Sequence, residues 1–283
     1  MRVVFPASGW LMMAKVRRLA ASAEGSSRSP PVVSPTGLTY GPRARNALDH
    51  EMQLQLVAAF ERAAASDSVR AVLLRAEGDH FCAGADLAVA DGERPRRPGH
   101  LQRTMPLRSQ RAILAIWHAQ VPVVAAVRGH AAGMGCSLAL ACDFVVASET
   151  ATFSLPFVRL GVAADTGSPF LLPRLVGLAR AKEMLLLGRP VSGEAAAAWG
   201  LVSAAVPDAD VERDAHALAA ELAAGATVAI GLTKALLHGA LDQDLARAMA
   251  DEGLAQELAV RTKDFREGVE SRTGKRPPQF LGE

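Results

Sequence analysis

Two stretches of this chain set residues of minimal side-chain bulk directly after an apolar run: Cys82-Ala83-Gly84-Ala85 and Ala131-Ala132-Gly133-Met134-Gly135. Small residues let a ligand approach the main chain closely. Backbone N–H groups from two such turns, the second leading into a helix N-terminus, can converge on one oxygen and stabilise negative charge developing there. That is the chemistry of an oxyanion hole, although either turn alone is more commonly a device of tight strand-to-helix packing. A third candidate is Asp165, within Leu160-Gly161-Val162-Ala163-Ala164-Asp165-Thr166-Gly167-Ser168. A carboxyl among Val, Ala and Leu, once partly buried, has its charged form desolvated and its pKa raised, which suits it to take and return a proton. The competing reading is structural, since Asp, Thr and Ser just before Pro169 are ordinary capping residues.

Other chemistries find less support. Gly129-His130-Ala131-Ala132-Gly133-Met134-Gly135 has neither G-x-G-x-x-G spacing nor the Lys-Ser/Thr of a phosphate loop. His80, His100, His118, His130, His216 and His238 are spread without metal-ligand spacing, so no metal site is expected. Arg94, Arg96, Arg97, Arg103 and Arg108 form a basic cluster, which is either a solvated surface or an aid in holding anionic groups.

The elements that must position these residues follow from periodicity. Apolar residues at helical spacing predict a helix over 47–65, and Val69 to Leu74 a buried strand. The Gly-rich turn at 79–87 leads into residues 91–100, whose Pro, Gly and charge predict a mobile loop. A helix over 106–119, a strand over 121–127, a small-residue turn at 129–135, an apolar helix starting at 137–142 and a strand at 144–147 complete an alternating α/β core. Ser168-Pro169 reads as a helix start, with Ser as N-cap and Pro at the first helical position. After Pro207 the pattern is helical over 209–224, 228–241, 243–259 and 262–270, and Gly274 to Pro278 reads as a solvated tail. The division expected is an atypical, disordered segment over 1–40, an α/β core over 41–207 and a helical module over 208–283.

Composition bounds the classes further. Of 283 residues half are apolar, and 31 basic against 29 acidic side chains leave a net charge of +2. No strong overall field points to nucleic acid or an anionic membrane. Three cysteines without a C-x-x-C pair suggest a reduced, cytoplasmic protein, and no run of about 18 uncharged apolar residues is present to span a membrane.

Three ordered segments, Phe81 to Leu87, Val121 to Cys136 and Leu171 to Gly177, resemble the enoyl-CoA hydratase/isomerase (crotonase) superfamily, and the similarity runs from about Pro42 to Phe280. The resemblance implies a spiral of ββα units and a C-terminal helical region that builds trimers, often paired into hexamers. It implies an acyl-CoA thioester substrate, with no cofactor beyond the substrate's own coenzyme A. By position, the two oxyanion donors would be the N–H groups of Ala85 and Met134. Ala83, Gly84, Asp86, Leu87, Gly133, Gly135, Ser137, Phe157 and Leu160 would surround the substrate, and Lys275 would meet coenzyme A from an adjacent subunit.

The departures from that pattern decide the activity expected. Where family hydratases carry two glutamates, this chain has Ser137 and Phe157. Hydration needs one group to activate water and another to manage the proton, and neither residue titrates near neutral pH. One base suffices for a 1,3-proton shift, and Asp165 stands where the family's epoxyphenylacetyl-CoA isomerases have an aspartate. An isomerase of the enoyl-CoA or epoxyphenylacetyl-CoA type is therefore expected. A hydratase or lyase with a single carboxylate is one alternative, and a non-catalytic relative binding RNA or protein partners is another. Arg272 replaces a family Phe, and residues 22–40 lack the alternation of the β-hairpin that usually opens the family's fold.

Overall fold

The structure, a computed structural model, describes residues 45–86 and 98–283 together with the main chain of 12–14. Five parallel strands form the larger sheet, in the spatial order β1 (Met12–Ala14), β2 (Val72–Arg75), β3 (Val123–Val127), β5 (Phe144–Ser148) and β8 (Ala204–Val206). Register is fixed by Val72 opposite Val123, Val124 opposite Phe144 and Val146 opposite Ala204. β2, β3 and β5 read as nearly unbroken apolar runs because both of their faces are covered. Val72, Leu74, Ala125, Val127 and Val145 point into the main core, whereas Leu73, Val124, Ala126 and Val146 meet α7 (Val211–Ala224) through Val211, Ala215, Ala219 and Ala223. Arg75 at the end of β2 pairs with Glu212 of α7 at 2.7 Å.

A second layer holds β4 (His130–Ala132), β6 (Thr152–Ser154) and β7 (Val191–Ser192). Single parallel bridges, Cys82 with Ala131 and Leu48 with Ala85, extend it toward the start of α1 (His50–Ala64). Each turn of the chain thus runs from a strand of the large sheet to a strand of the small one and then to a helix: β3, β4 and α4 (Met134–Leu140), then β5, β6 and α5 (Ser168–Leu186). The α/β class and this winding agree with the sequence reading.

Several local expectations differ from the structure. Met12–Ala14, inside the segment expected to be disordered, is a strand pairing with Val72–Leu74. The main-chain edge of β2 accepts it. Such a strand needs no alternation, and its position lies upstream of the residues searched for it. Residues 15–44 lie outside the described residues, as do 87–97, on which most of the expected mobile loop falls. The helix expected over 106–119 is divided into α2 (His100–Thr104), a 3₁₀ turn at Met105–Leu107 and α3 (Ser109–Trp117). Pro106 sits in the 3₁₀ turn, and its missing N–H interrupts the ladder. α1 begins at His50 because the Asp49 side chain accepts the Met52 N–H at 2.8 Å. α5 has Gly167 as N-cap, so Ser168 is the first helical residue.

The C-terminal helices are α8 (Thr227–Ala240), α9 (Leu245–Ala259) and α10 (Lys263–Thr273), and α6 (Gly193–Trp199) precedes β8. Residues 274–278 are exposed, but the end of the chain folds back: buried Asp264 accepts the Leu281 and Gly282 N–H groups at 2.6 and 2.8 Å. A buried ion pair joins α8 to the core, Lys234 Nζ donating to Asp143 Oδ2 at 2.7 Å, and the same oxygen accepts the Val123 N–H. Removing one partner of such a pair strands a desolvated charge. Lys234→Met is expected to cost about 3 kcal/mol in urea-unfolding stability. Lys234→Met/Asp143→Leu should recover part of that loss, and equal midpoints for wild type and single variant would refute the account. Among the described residues, no single helix is long and apolar enough to cross a membrane.

Candidate active site

The two small-residue turns lie side by side. The Cys82 N–H donates to the His130 carbonyl and the Ala132 N–H to the Cys82 carbonyl, both at 2.9 Å. On the opposite edge of the first turn, the Leu48 N–H donates to the Gly84 carbonyl at 2.7 Å and the Asp86 N–H to the Leu48 carbonyl at 3.0 Å. That parallel bridge uses groups flanking Ala85 and turns the Ala85 N–H the other way, toward the side on which Ala131 to Met134 runs. Ala85 is exposed. Met134 is the first residue of α4, so its N–H has no intrahelical acceptor, and the N-cap Gly133 has no side chain to satisfy it. Among the described residues, neither N–H has a main-chain acceptor.

Two glycines make this approach possible for different reasons. Gly84 has φ +100°, and a Cβ there would stand 2.8 Å from the Ala132 oxygen and 3.6 Å from the Met134 nitrogen. Gly133 has φ +50°, yet a Cβ there would meet no atom within 4 Å. Its glycine is needed for the backbone angle, and open space lies beside it.

The turn that carries Asp165 is tied to this region through the next residue. The buried Thr166 hydroxyl donates to the Ser137 hydroxyl at 2.8 Å, and Ser137 lies one turn after Met134 on α4. The helix that carries one donor is thereby tied to the turn that carries the carboxyl. Asp165 itself is half-buried, and burial raises its pKa above the ordinary carboxylate value, while the neighbouring Thr166 side chain holds it partly back. A carboxyl so placed is suited to accept and return a proton near neutral pH.

Other groups near the turns are chemically quieter. Burial pushes the Cys82 thiol up to about 11 and the Cys136 thiol to about 12, and raises that of Cys142, so these cysteines offer no thiolate nucleophile. His80 and His130 stack with ring centroids 4.8 Å apart, behind the turns. The His80 pKa is lowered by burial first, then by His130 and Arg45, which keeps this imidazole neutral. Among the described residues, no cluster of three or more His, Cys, Asp or Glu has metal-binding geometry.

The remaining sequence candidates are dispersed. Ala83 and Asp86 flank the exposed Ala85, and Leu160 is exposed at 56%. Of the other expected substrate-binding residues, Ser137 is fully buried with its hydroxyl engaged by Thr166, and Phe157 is packed into the main core. Gly135 is buried against Cys82. Leu87, Arg94, Arg96 and Arg97 lie outside the described residues. Lys275 is exposed just after α10, and no described contact joins it to the turn at Gly84. The sequence reading overlooked the Thr166 to Ser137 bond and the part played by Asn46. That side chain is buried, has φ +56°, and donates to the Glu77 and His80 carbonyls at 2.9 and 2.6 Å. An Asn tolerant of the left-handed region just before an apolar helix was the available signal.

Comparison with known proteins bears on this geometry directly. The enoyl-CoA hydratase/isomerase family model matches residues 40–283. A "Probable enoyl-CoA hydratase" of Rhodobacter capsulatus is 39% identical over 241 residues, spanning 85% of this chain and 91% of that protein. The 1,2-epoxyphenylacetyl-CoA isomerase of Escherichia coli is 35% identical over 241 residues, spanning 85% and 92%. The crystal structure of an enoyl-CoA hydratase from Bacillus anthracis superposes with a TM-score of 0.84 at 27% identity, covering 100% of both chains.

Proposed function

This chain belongs to the enoyl-CoA hydratase/isomerase family, and we propose that it isomerises an enoyl-CoA thioester by a 1,3-proton shift through an enolate. The observation that supports the reading is the 2.8 Å bond between Thr166 and Ser137, which ties the turn carrying the half-buried Asp165 to the helix that begins at Met134. In this mechanism the thioester carbonyl oxygen sits between the Ala85 and Met134 N–H groups. The Asp165 carboxylate takes a proton from C2 of a β,γ-unsaturated acyl group, and the electron pair delocalises onto the carbonyl oxygen as a dienolate. Asp165 then returns the proton at C4, leaving the double bond between C2 and C3 with no net gain or loss of electrons. The two N–H donors carry the developing charge, so the reaction calls for no cofactor besides the substrate's coenzyme A.

The name of the Rhodobacter capsulatus relative favours hydration as a second reading, with Asp165 activating water. Ser137 and Phe157 argue against it, because neither supplies the second proton-handling group. Incubating the protein in deuterated water with trans-3-hexenoyl-CoA and separately with crotonyl-CoA distinguishes the two. Formation of the conjugated 2-enoyl thioester, without 3-hydroxyacyl product from crotonyl-CoA, is the expected result. Rapid hydration with no double-bond migration would transfer the assignment to a hydratase.

A pH dependence follows. The base must be ionised, and its pKa is raised by burial, so kcat/KM is expected to fall as pH drops through that raised value and to level off above it. A profile between about pH 4 and 8 tests this, and a flat wild-type profile would contradict the role of Asp165.

The exposed apolar residues Leu237, Leu245, Met249, Leu254 and Leu258 on α8 and α9 support assembly into a homotrimer or a pair of trimers, which light scattering after gel filtration measures. Nucleic acid has no place in this reading, since Arg213 on α7 is already paired with Asp210 and Asp214.

A further inference from the structure

We propose that Thr166 and Ser137 are positioning residues, a buried hydroxyl pair that fixes where the Asp165 carboxylate stands relative to the oxyanion donors. The inference rests on the isomerase reading above and extends it to residues that do not touch the substrate. Its starting point is a conformational oddity. Thr166 has φ +51°, a left-handed angle that β-branched residues avoid because the branched Cβ crowds the backbone. Glycine would adopt that angle freely, as Gly167 next to it does at φ +79°. Strain of this kind persists only where surrounding contacts over-determine it.

Those contacts are present on both sides of the peptide. The Asp165 carbonyl accepts two hydrogen bonds, from the Ser168 N–H at 3.0 Å and from the Ser168 hydroxyl at 2.8 Å. Thr166 is 4% exposed, while Ser137 and Ser168 are fully buried. Thr166 therefore cannot be serving solvent, and a Gly or Ala would pack there with less strain. What only Thr or Ser adds is the hydroxyl aimed at Ser137.

The geometric consequence is specific. Ser137 follows Met134 by three residues on α4, so the two share one helix face. The Thr166 to Ser137 bond is thus a direct strut between the element that presents the Met134 N–H and the turn that presents Asp165. A proton carrier must stand within hydrogen-bond reach of the carbon it serves, and misplacement by about 1 Å can cost about a hundredfold in rate. The strut also touches the chemistry of the carboxyl. Two facing hydroxyls can exchange donor roles, so Ser137 keeps the tie when Thr166 turns its proton to the ionised carboxylate. Burial raises the pKa of that carboxyl, and the Thr166 side chain lowers it.

The test is the isomerisation of trans-3-hexenoyl-CoA by wild type, Thr166→Val, Thr166→Ser, Ser137→Ala, Thr166→Val/Ser137→Ala and Asp165→Asn, each checked for folding by circular dichroism and thermal melting. Thr166→Val keeps the branched shape and the strained angle while deleting the hydroxyl. It is expected to lower kcat by about tenfold to a hundredfold with KM changed less than about twofold. It should also move the acid limb of the kcat profile to higher pH, because the bond that favours the ionised carboxylate is gone. Thr166→Ser should return most of the rate. Ser137→Ala should lower kcat on its own, and the double variant should lose little more than either single one, as two ends of one bond do. Should Thr166→Val not fold, Ser137→Ala, at a mid-helix position, decides the matter. Full activity in Ser137→Ala and Thr166→Val, or a Thr166→Ser variant as impaired as Thr166→Val, would overturn the inference while an inactive Asp165→Asn left the isomerase reading standing. An active Asp165→Asn would instead remove the reading itself, and the strut with it.

Discussion

Asp165→Asn is expected to lower kcat for β,γ-enoyl-CoA isomerisation by about a hundredfold to ten-thousandfold, the range over which a positioned general base contributes. The amide has the carboxylate's size but cannot hold the travelling proton. KM should change little, because in the proposed mechanism the thioester oxygen is held by main-chain donors that the substitution leaves in place. The variant should be no less stable than wild type at neutral pH, and the sign can be worked out. Burial raises the folded-state pKa of Asp165 above its unfolded value, so its contribution to stability is most favourable below the unfolded pKa and is lost as pH rises through the folded pKa. At neutral pH the ionised group is a burden that asparagine removes, and the difference between the two melting temperatures should shrink as pH falls below the unfolded value. A variant both inactive and much less stable would point to a structural capping role, and one with unchanged kcat would remove the catalytic assignment.

Gly84→Ala is the second large effect. A Cβ at this position would stand 2.8 Å from the Ala132 oxygen, too close for real atoms, and 3.6 Å from the Met134 nitrogen. The Ala132 carbonyl is main chain, so relief requires the second turn to move and carry the Met134 N–H with it. Loss or misplacement of one oxyanion donor costs about a hundredfold to a thousandfold in kcat. Gly78→Ala separates this from backbone strain. Gly78 has φ +77° with nothing within 4 Å of its would-be Cβ, so that variant bears the left-handed penalty of about 1–2 kcal/mol without any clash. Measured side by side, Gly78→Ala should keep kcat/KM within about twofold of wild type while Gly84→Ala falls by two orders of magnitude or more. Equal effects would mean that the approach of the two turns does not matter to turnover.

Parts of this arrangement were legible in the residues because short-range rules govern them. The apolar runs at Val123 to Val127 and Phe144 to Ser148 signal strands buried on both faces, and helical spacing located α1 and the C-terminal helices to within a few residues. The glycine-rich turns carried their own signal, since only residues without side chains permit so close an approach of backbones. Other parts were hidden for identifiable reasons. β4 and β6 are three residues each, too short for a periodicity to show, and they exist because a parallel partner is already in place. β1 lies in a segment whose composition reads as irregular, and it is recruited by the unpaired edge of β2.

The residue types and their order along the chain determined by themselves that this is an α/β protein of the enoyl-CoA hydratase/isomerase family. Only the tertiary structure decided that the turn carrying Asp165 is tied to the helix that begins at Met134. The Asp165 carboxyl is desolvated by burial, and its turn is fastened by a bond spanning 29 residues, from Thr166 to Ser137. Neither the left-handed angle of a threonine nor the burial of a serine follows from local propensity, because both come from packing between elements that meet only once the chain has wound through its full set of layers.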